Sequence, residues 1–539
     1  MFVRKKKNSS GSISIQIISK KKGKYKLVET IGCSKDKFEI EELIKKAKLR
    51  IKELEPSLFD YLEYREKKFT LKADNVRIIG DELVFGKIFN DIGCNNIAFP
   101  KEKQKERFKA LVISRLLYPG SKLYLIDYYE IYKKEKIDKN QIYRLLDKIY
   151  SSDLKIQIEK CIFKHTISIL ANKELVVSFY DVTTLYFESE SEDDLRKIGF
   201  SKEGKLNRPQ IQIGLLTTIE GYPLGYEIYE GNRFEGNTLI ESLKLLEKKF
   251  KLAYKPIVVA DRGMFNNCNL IELDNKGYKY IIGAKIKTLS QNIKNQIIYL
   301  DLKIDNQTKE IKLNEELICK VKNKVDETNN QKTTKKYTLT KKTISQRLII
   351  SYSIQRAKKD KYLRDKALEK LENKLNQKNL KKSDLKLSYY AKYLNLEDKN
   401  NCPIQFKLNN EKIKLDEKLD GLKGYITNDI TLSHNEIISH YTNLYNIEKA
   451  FRISKTDLRI RPIYHRLETR IKSHILIAFT SYAIYKEFER RIKKANLDIK
   501  FKLTFDYIKT MYGYKTLFGV EPMEFNEIQN KILDVINLN

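Results

Sequence analysis

Two short apolar segments, each ending in an aspartate, restrict the possible folds of this chain more than any other feature. The first is ELVVSFYD, which ends at Asp181, and the second is KPIVVAD, which ends at Asp261. Continuous apolar runs of this length are typical of strands buried on both faces of a sheet, and the terminal acid then emerges at the sheet edge. Between them lie two strand-like runs joined at Glu220-Gly221 and a helix predicted at about 237–251.

Strand, hairpin, helix, strand is the order of an RNase H-like core, which carries carboxylates at its strand ends. We therefore predict an α/β fold: an RNase H-like catalytic core interrupted by a β-rich insertion, with an N-terminal mainly helical region. The Lys/Asn-rich insertion mixes strand-like runs with a charged helix near 358–378, and its sequence alone does not indicate its purpose. The predicted units are an N-terminal hairpin and helical region (1–95), a helical DNA-binding region (96–172), the first part of the core (173–290), the insertion domain (291–430) and a helical second part of the core (431–539).

Local periodicity supports this division. Residues 12–32 alternate around a Lys-Gly turn, which predicts a β-hairpin, and residues 38–65 and 100–170 show helical spacing. After residue 433 two helices are predicted, over about 434–456 and 467–492. The most apolar stretch of the chain, ILIAFTSYAIY, is too short to span a bilayer and predicts a buried helix.

The charge of the chain favours a polyanionic partner. Lys and Arg number 105 against 71 Asp and Glu, which gives a net charge of +34. Neutralising phosphates with Lys and Arg releases counterions, so nucleic acid is the natural partner. The alternative is compositional bias, because Lys, Asn and Ile are all abundant, as in proteins encoded by AT-rich DNA.

The cysteines are scattered and form no CxxC pair, which argues against structural zinc and against a disulfide framework. They are Cys33, Cys94, Cys161, Cys268, Cys319 and Cys402. This usage fits a reducing cytoplasm. The basic N-terminus is not followed by an apolar segment, so we do not expect secretion.

A third carboxylate, Glu448, lies in the predicted helix that begins near residue 434. Three- and four-residue spacing places it on one helix face with Tyr441, Leu444, Phe451 and Lys455. Three converging carboxylates suit two divalent cations, which activate water and stabilise charge during phosphodiester cleavage. From spacing alone, these acids are also compatible with ordinary caps and loop residues, which are common at strand ends.

Three blocks of sequence resemble the DDE transposases of bacterial insertion sequences, specifically the insertion-sequence family 4 group and its 1634-type branch. VVSFYDVTTLYFE resembles the block around the first catalytic Asp, and IVVADRGMFNNCNL resembles the second. YTNLYNIEKAFRISKTDLRIRP resembles the C-terminal signature, in which Tyr441, Glu448 and Lys455 match the family spacing. Leu444 stands where the signature has Arg, and this leaves a hairpin-forming step during excision unsupported.

The resemblance implies that Asp181, Asp261 and Glu448 are the catalytic residues and the ligands of two Mg²⁺ ions, for which Mn²⁺ would substitute. It implies double-stranded DNA as the partner, namely the terminal inverted repeats of the element and a target, and a homodimer in the active complex. The residues expected to contact DNA are Tyr441, Arg452, Lys455, Arg459, Arg461 and Arg466. Two alternatives remain open: a metal-dependent nuclease of the same fold without strand transfer, and a non-catalytic DNA-binding protein derived from an element.

Overall fold

The structure is a computed structural model that describes the chain except residues 22, 56–72, 151, 172–173, 201–203, 205–206, 251, 253, 323–336, 376–391, 398–404, 517–518 and 538–539. The chain divides into two compact units. Unit 1 contains Met1–Asp91, Lys105–Leu145 and Glu487–Asn539, and unit 2 contains Ile92–Gln104 and Leu146–Lys486. The domain boundaries given above remain predictions, and the structure adds that residues from both ends of the chain belong to unit 1.

Unit 1 begins with a three-stranded antiparallel sheet in the order β1-β2-β3 and a helix packed on one of its faces. Its elements are β1 (Phe2–Lys7), β2 (Ile13–Lys21), β3 (Lys24–Ser34) and α1 (Lys37–Leu54). The predicted hairpin is therefore present as β2 and β3. The predicted helix over 38–65 is present up to Leu54, and most of its remainder lies outside the described residues.

The region between residues 100 and 170 is helical, as its periodicity predicts. Between α1 and the first strand of the large sheet, the chain forms β4 (Val76–Ile78), α2 (Lys87–Asp91), α3 (Glu102–Leu117), α4 (Lys122–Tyr128), α5 (Lys139–Ile149) and α6 (Ser152–Ile169). The end of the chain adds α14 (Glu468–Lys494), α15 (Phe501–Lys509), β15 (Tyr512–Thr516), β16 (Gly519–Pro522) and α16 (Glu527–Asn537). Strands β16, β15 and β4 form a small antiparallel sheet.

Unit 2 is built on an eight-stranded mixed sheet, so the α/β class is confirmed. The strand order is β10-β11-β14-β9-β8-β5-β6-β7. The strands are β5 (Val177–Tyr186), β6 (Gln210–Thr217), β7 (Pro223–Glu230), β8 (Ile257–Ala260), β9 (Tyr280–Ala284), β10 (Thr308–Lys322), β11 (Tyr337–Tyr352) and β14 (Leu422–Thr427). β6 is antiparallel to β5 and to β7, whereas β5, β8 and β9 run parallel.

The segment predicted as an insertion contributes three strands to this same sheet. β10 and β11 form a long antiparallel hairpin, and β14 joins β11 to β9 by antiparallel pairing on both sides. The remaining elements of the segment are α9 (Gln291–Tyr299), α10 (Ile354–Leu375), β12 (Leu394–Glu397), β13 (Gln405–Leu408) and α11 (Asn410–Lys418). The sheet is therefore continuous from the core into the insertion.

Helices cover the sheet and carry the C-terminal part of the candidate site. α7 (Leu239–Phe250) and α8 (Asn267–Asn275) follow β7 and β8. The prediction of a single helix over 434–456 is wrong. The structure instead has α12 (His434–Thr442), α13 (Tyr445–Arg452) and a π-helical turn over Ile453–Asp457. The apolar stretch ILIAFTSYAIY is buried within α14, as predicted. No helix within the described ranges is long and apolar enough to cross a membrane.

The cysteine pattern needs one correction. Cys268 of α8 and Cys319 of β10 form a disulfide, with an S–S distance of 2.03 Å and a sequence separation of 51. Spacing in the sequence did not indicate this pair, because the two residues meet only after β10 packs beside α8. Cys402 lies outside the described residues.

Candidate active site

Asp181 and Asp261 lie on neighbouring parallel strands at matching positions. Tyr180 of β5 pairs with Ala260 of β8, and each aspartate is the next residue along the chain. The prediction that Asp181 ends its strand is wrong, because β5 continues to Tyr186, whereas Asp261 does follow the end of β8. Adjacent strands are about 4.8 Å apart, which places the two backbones side by side. Asp181 is half-buried and its Oδ1 accepts a hydrogen bond from the Val182 amide at 2.7 Å, whereas Asp261 is exposed just beyond the end of β8.

The side chain of Asp181 lies on the sheet face that packs against α13. Successive side chains of a strand alternate between faces, and Tyr180 belongs to the apolar cluster on the opposite face. Leu215, the cross-strand partner of Asp181, lines a cavity of about 40 Å³ together with Phe451 of α13. Glu448 is exposed one helical turn before Phe451, so it lies on the helix that covers the Asp181 face.

Tyr441 connects α12 to the same region. Its hydroxyl lies against Gly283 of β9, where a Cβ atom would collide with the tyrosine ring. Burial raises the pKa of the Tyr441 hydroxyl, and the negative charges of Asp261 and Glu448 raise it further. Both acids therefore lie within electrostatic range of one tyrosine.

The three acids do not form a closed cluster. In the described part of the chain, no three Asp, Glu, His or Cys side chains are grouped closely enough to hold a metal ion. Like charges repel one another unless a cation compensates them. The donor set nevertheless fits divalent magnesium or manganese, because all three side chains supply the hard oxygen ligands that these ions prefer.

The residues expected to contact DNA take different positions. Arg452, Arg459 and Arg466 are exposed, whereas Lys455 is half-buried and lines the small cavity with Phe451. The Arg461 guanidinium lies 5.9 Å from the ring centroid of Tyr186, at the end of β5. The segment after the π-helical turn thus returns to the strand that carries Asp181.

Leu444 and the shared helix face require a correction. α12 ends at Thr442 and α13 begins at Tyr445, so Leu444 lies at the junction of two helices. It is 9% exposed, whereas Glu448 is exposed. The prediction that the five residues share one face of a single helix is therefore wrong, because they lie on α12, on α13, at the junction and in the π-helical turn. Leu444 has a packing role.

A network of hydrogen bonds and ion pairs holds the start of α12, and the sequence did not indicate it. Arg347 of β11 donates to Glu310 of β10 at 3.0 and 2.8 Å and to the carbonyl oxygens of Asp429 and Leu432 at 3.1 and 2.8 Å. His434, the first residue of α12, lies 3.2 Å from the same Glu310 oxygen. The Arg347 hydrogen bond, followed by that of His434, holds the pKa of Glu310 below its usual range.

A family model described as a transposase DDE domain matches residues 172–484. Among solved structures, the piggyBac transposase synaptic complex with hairpin DNA is similar at a TM-score of 0.37 and 7% sequence identity, over 80% of this chain and 76% of that chain. No match was found among curated proteins.

Proposed function

The chain belongs to the transposase DDE domain family, and on this premise we propose that it cuts and joins DNA with Asp181, Asp261 and Glu448 as its catalytic carboxylates. The observation that carries the assignment is the parallel pairing of Tyr180 with Ala260, which puts two of the acids at equivalent positions on adjacent strands. The third lies on α13, which packs over the face of β5 that Asp181 shares.

The strand arrangement supports an RNase H-like core. In the order β7-β6-β5-β8-β9, the first three strands form an antiparallel meander and the last three run parallel. Parallel strands end at one edge of a sheet, and in open α/β sheets ligands bind at the carboxyl ends of such strands. Asp261 directly follows the carboxyl end of β8, and Asp181 lies beside it, midway along β5.

The three carboxylates would hold two Mg²⁺ ions, which supply an activated water and stabilise charge on the attacking and leaving oxygens. Asp181 is half-buried within β5, whereas Asp261 and Glu448 are exposed and accessible to a cation. Tyr441, which is close to both exposed acids, would position the DNA backbone beside them. The phosphates on either side of the cleaved bond would be contacted by Arg452, Arg459, Arg461 and Arg466. Lys455 would contact a phosphate from the edge of the small cavity.

The finer assignment follows the sequence resemblance. We propose a transposase of the insertion-sequence family 4 group that frees a 3′-OH at an element end and transfers that strand into target DNA. Both ends must be held together for this, so the active complex would contain two copies of the chain. The buried Leu444 offers no phosphate contact, and the proposal therefore includes no hairpin step.

The test is strand cleavage and joining by the purified full-length chain with Mg²⁺. The substrates are a labelled duplex carrying the DNA that flanks the gene and a supercoiled target plasmid. The wild-type chain should yield a nicked or cut end and a joined product, and Asp261→Asn should lower cleavage at least about 1000-fold, because the residue is proposed to ligate metal. DNA binding should be retained.

Asp301→Asn is the matched control, because this aspartate is 70% exposed and its partner is Lys303 on the surface. It should cleave like the wild type. Cleavage that persists in Asp261→Asn would refute the site assignment. Cleavage without any joined product would favour the nuclease alternative instead.

A further inference from the structure

One face of the N-terminal sheet is covered by α1, and the opposite face, here called the open face, carries exposed side chains in the described part of the chain. Ile15 and Ile17 of β2 point toward α1 and form a small core with Ile40 and Ala47 of that helix. Because side chains alternate along a strand, the neighbouring β2 residues Gln16, Ile18 and Lys20 belong to the opposite face. Their cross-strand partners there include Phe2 and Arg4 of β1 and Tyr25 and Leu27 of β3.

Large apolar side chains are exposed on this open face. Tyr25 is 63% exposed, Leu27 50% and Phe2 42%, whereas Ile18, the cross-strand partner of Phe2 and Leu27, is 1% exposed. The rings of Phe2 and Tyr25 meet edge to face with their centroids 6.1 Å apart. Exposed apolar side chains grouped on one surface often mark a binding site, because a bound partner removes them from water.

The same face is strongly basic. Residues 1–34 contain nine Lys and Arg residues, and of these Arg4, Lys6 and Lys20 lie on the open face. The one acid of this segment, Glu29, pairs with Ile17 and so belongs to the covered face. The Lys20 ammonium lies 5.3 Å from the Tyr25 ring centroid, and Arg4 donates to Gln16 at 2.8 Å, which holds the guanidinium over the sheet. Lys6, paired with Ser14, continues the row of cations along β1.

This combination favours nucleic acid over a protein partner. The centre of a protein–protein interface is depleted of Lys, whereas interleaved cations and aromatic rings are typical of surfaces that bind nucleic acid. The sequence had indicated residues 96–172 as the DNA-binding region, and the open face lies outside that range.

We propose that the open face of the β1-β2-β3 sheet is a DNA-docking surface. Arg4, Lys6 and Lys20 contact backbone phosphates, and the rings of Phe2 and Tyr25 contact deoxyribose or an unpaired base. This inference rests on the proposed function for the nature of its ligand. It adds a contact surface that is separate in sequence from the three carboxylates.

The experiment compares two triple variants of the full-length chain. Arg4→Gln/Lys6→Gln/Lys20→Gln removes three charges from the open face, and Lys45→Gln/Lys46→Gln/Lys48→Gln removes three exposed charges from α1, which packs on the other face. Binding of a fluorescent duplex and of a single strand is measured by anisotropy across a range of salt concentrations. Both variants should keep the wild-type unfolding midpoint, because the altered side chains are exposed.

For the open-face variant we expect the dissociation constant to rise about tenfold or more at 0.1 M salt. Its salt slope for duplex DNA should fall by about 2–3, since each phosphate contact contributes about 0.9. The α1 variant should change neither quantity to a similar extent. At saturating DNA the open-face variant should cleave at the wild-type rate, so loss of docking is distinguished from failure of the proposed catalytic function.

Tyr25→Ser separates the two ring contacts. A larger loss for the single strand than for the duplex would indicate stacking on an unpaired base, and an equal loss would indicate contact with deoxyribose. Tyr299→Ser is the control, because Tyr299 is 91% exposed and lies on α9. Equal affinity and equal salt slope in the two triple variants would overturn the proposal. It would also be overturned if the open-face variant lost binding to anionic vesicles or self-association while DNA binding stayed unchanged.

Discussion

Gly283 is the position at which β9 makes room for Tyr441. A Cβ atom added there would lie 2.7 Å from Cζ of the tyrosine ring, far inside van der Waals contact. We expect Gly283→Ala to displace Tyr441 and to lower the cleavage rate about tenfold or more, because displacements of about 1 Å at a reacting centre have effects of this order. Single-turnover cleavage at saturating DNA measures the change.

Gly225→Ala is the matched control for this substitution. Gly225 lies in β7 of the same sheet, and an added Cβ there would meet its nearest atom, in Glu159, at an ordinary 3.5 Å. This variant should cleave as the wild type does. If Gly283→Ala were equally active, Tyr441 would have no positioning role.

Leu444 illustrates how burial decides between a functional and a packing role. Its side chain is 9% exposed at the junction of α12 and α13. Leu444→Ala should lower the free energy of unfolding by about 2–4 kcal/mol, through lost apolar contact and the cavity left behind. Chemical denaturation monitored by circular dichroism measures this difference.

Ile430→Ala provides the comparison, since Ile430 is 79% exposed and its truncation should change stability by no more than about 0.5 kcal/mol. An equally small effect of Leu444→Ala would show that the junction is not packed as described. The DNA affinity of both variants at native conditions should match that of the wild type.

The start of α12 depends on a side chain that is distant in sequence. Arg347 ties Glu310 to the carbonyl oxygens of Asp429 and Leu432, just before the helix begins. We expect Arg347→Met to leave those groups without their donor, and to increase amide hydrogen exchange over residues 429–442. Cleavage should slow because α12 carries Tyr441.

Lys341→Met on the same strand is the control. Lys341 is 56% exposed and pairs with the half-exposed Glu316. A surface ion pair of this kind contributes about 1 kcal/mol or less. Its exchange pattern should match that of the wild type. Unchanged exchange in Arg347→Met would mean that the capping box of Ser433 and Glu436 is sufficient to hold the helix start.

The parts of the fold that could be predicted are those encoded by short continuous patterns. β5 and β8 could be predicted because each contains an apolar run followed by an acid, although β5 continues past Asp181 to Tyr186. α14 could be predicted because its apolar stretch is long. The gap between α12 and α13 could not be predicted, since TNLY contains neither Gly nor Pro to interrupt the helical spacing.

The pairing of β14 with β9 could not be predicted from the sequence either. These strands lie far apart in sequence, and no local pattern determines which strand of an insertion will extend a core sheet. For the candidate site, spacing and family resemblance indicated the three acids, whereas the roles of Gly283 and Arg347 required three-dimensional contacts. The burial of Leu444 was likewise visible only after the helix break was known.

The cross-link between Cys268 and Cys319 affects the stability of the fold as a whole. It joins α8 to β10 across 51 residues, and a loop of this length corresponds to at most about 4 kcal/mol of stabilisation. Cys268→Ser should therefore lower the unfolding midpoint, and a non-reduced proteolytic digest of the wild type should contain the two linked peptides.

Cys33→Ser serves as the reference for that measurement, because Cys33 is an exposed free thiol. It should leave the midpoint unchanged. A digest without linked peptides, combined with an unaltered midpoint in Cys268→Ser, would show that the two thiols are reduced in the folded protein.

The position of β14 also has a consequence for how such a chain can change during evolution. β14 alone joins the β10-β11 hairpin to β9, so the hairpin is the outermost part of the sheet. Its loss would leave β9 paired on both sides, with β14 as the new edge strand. We expect related genes to vary in the length of this hairpin while retaining β14, because only β14 leads the chain back to α12 and Glu448.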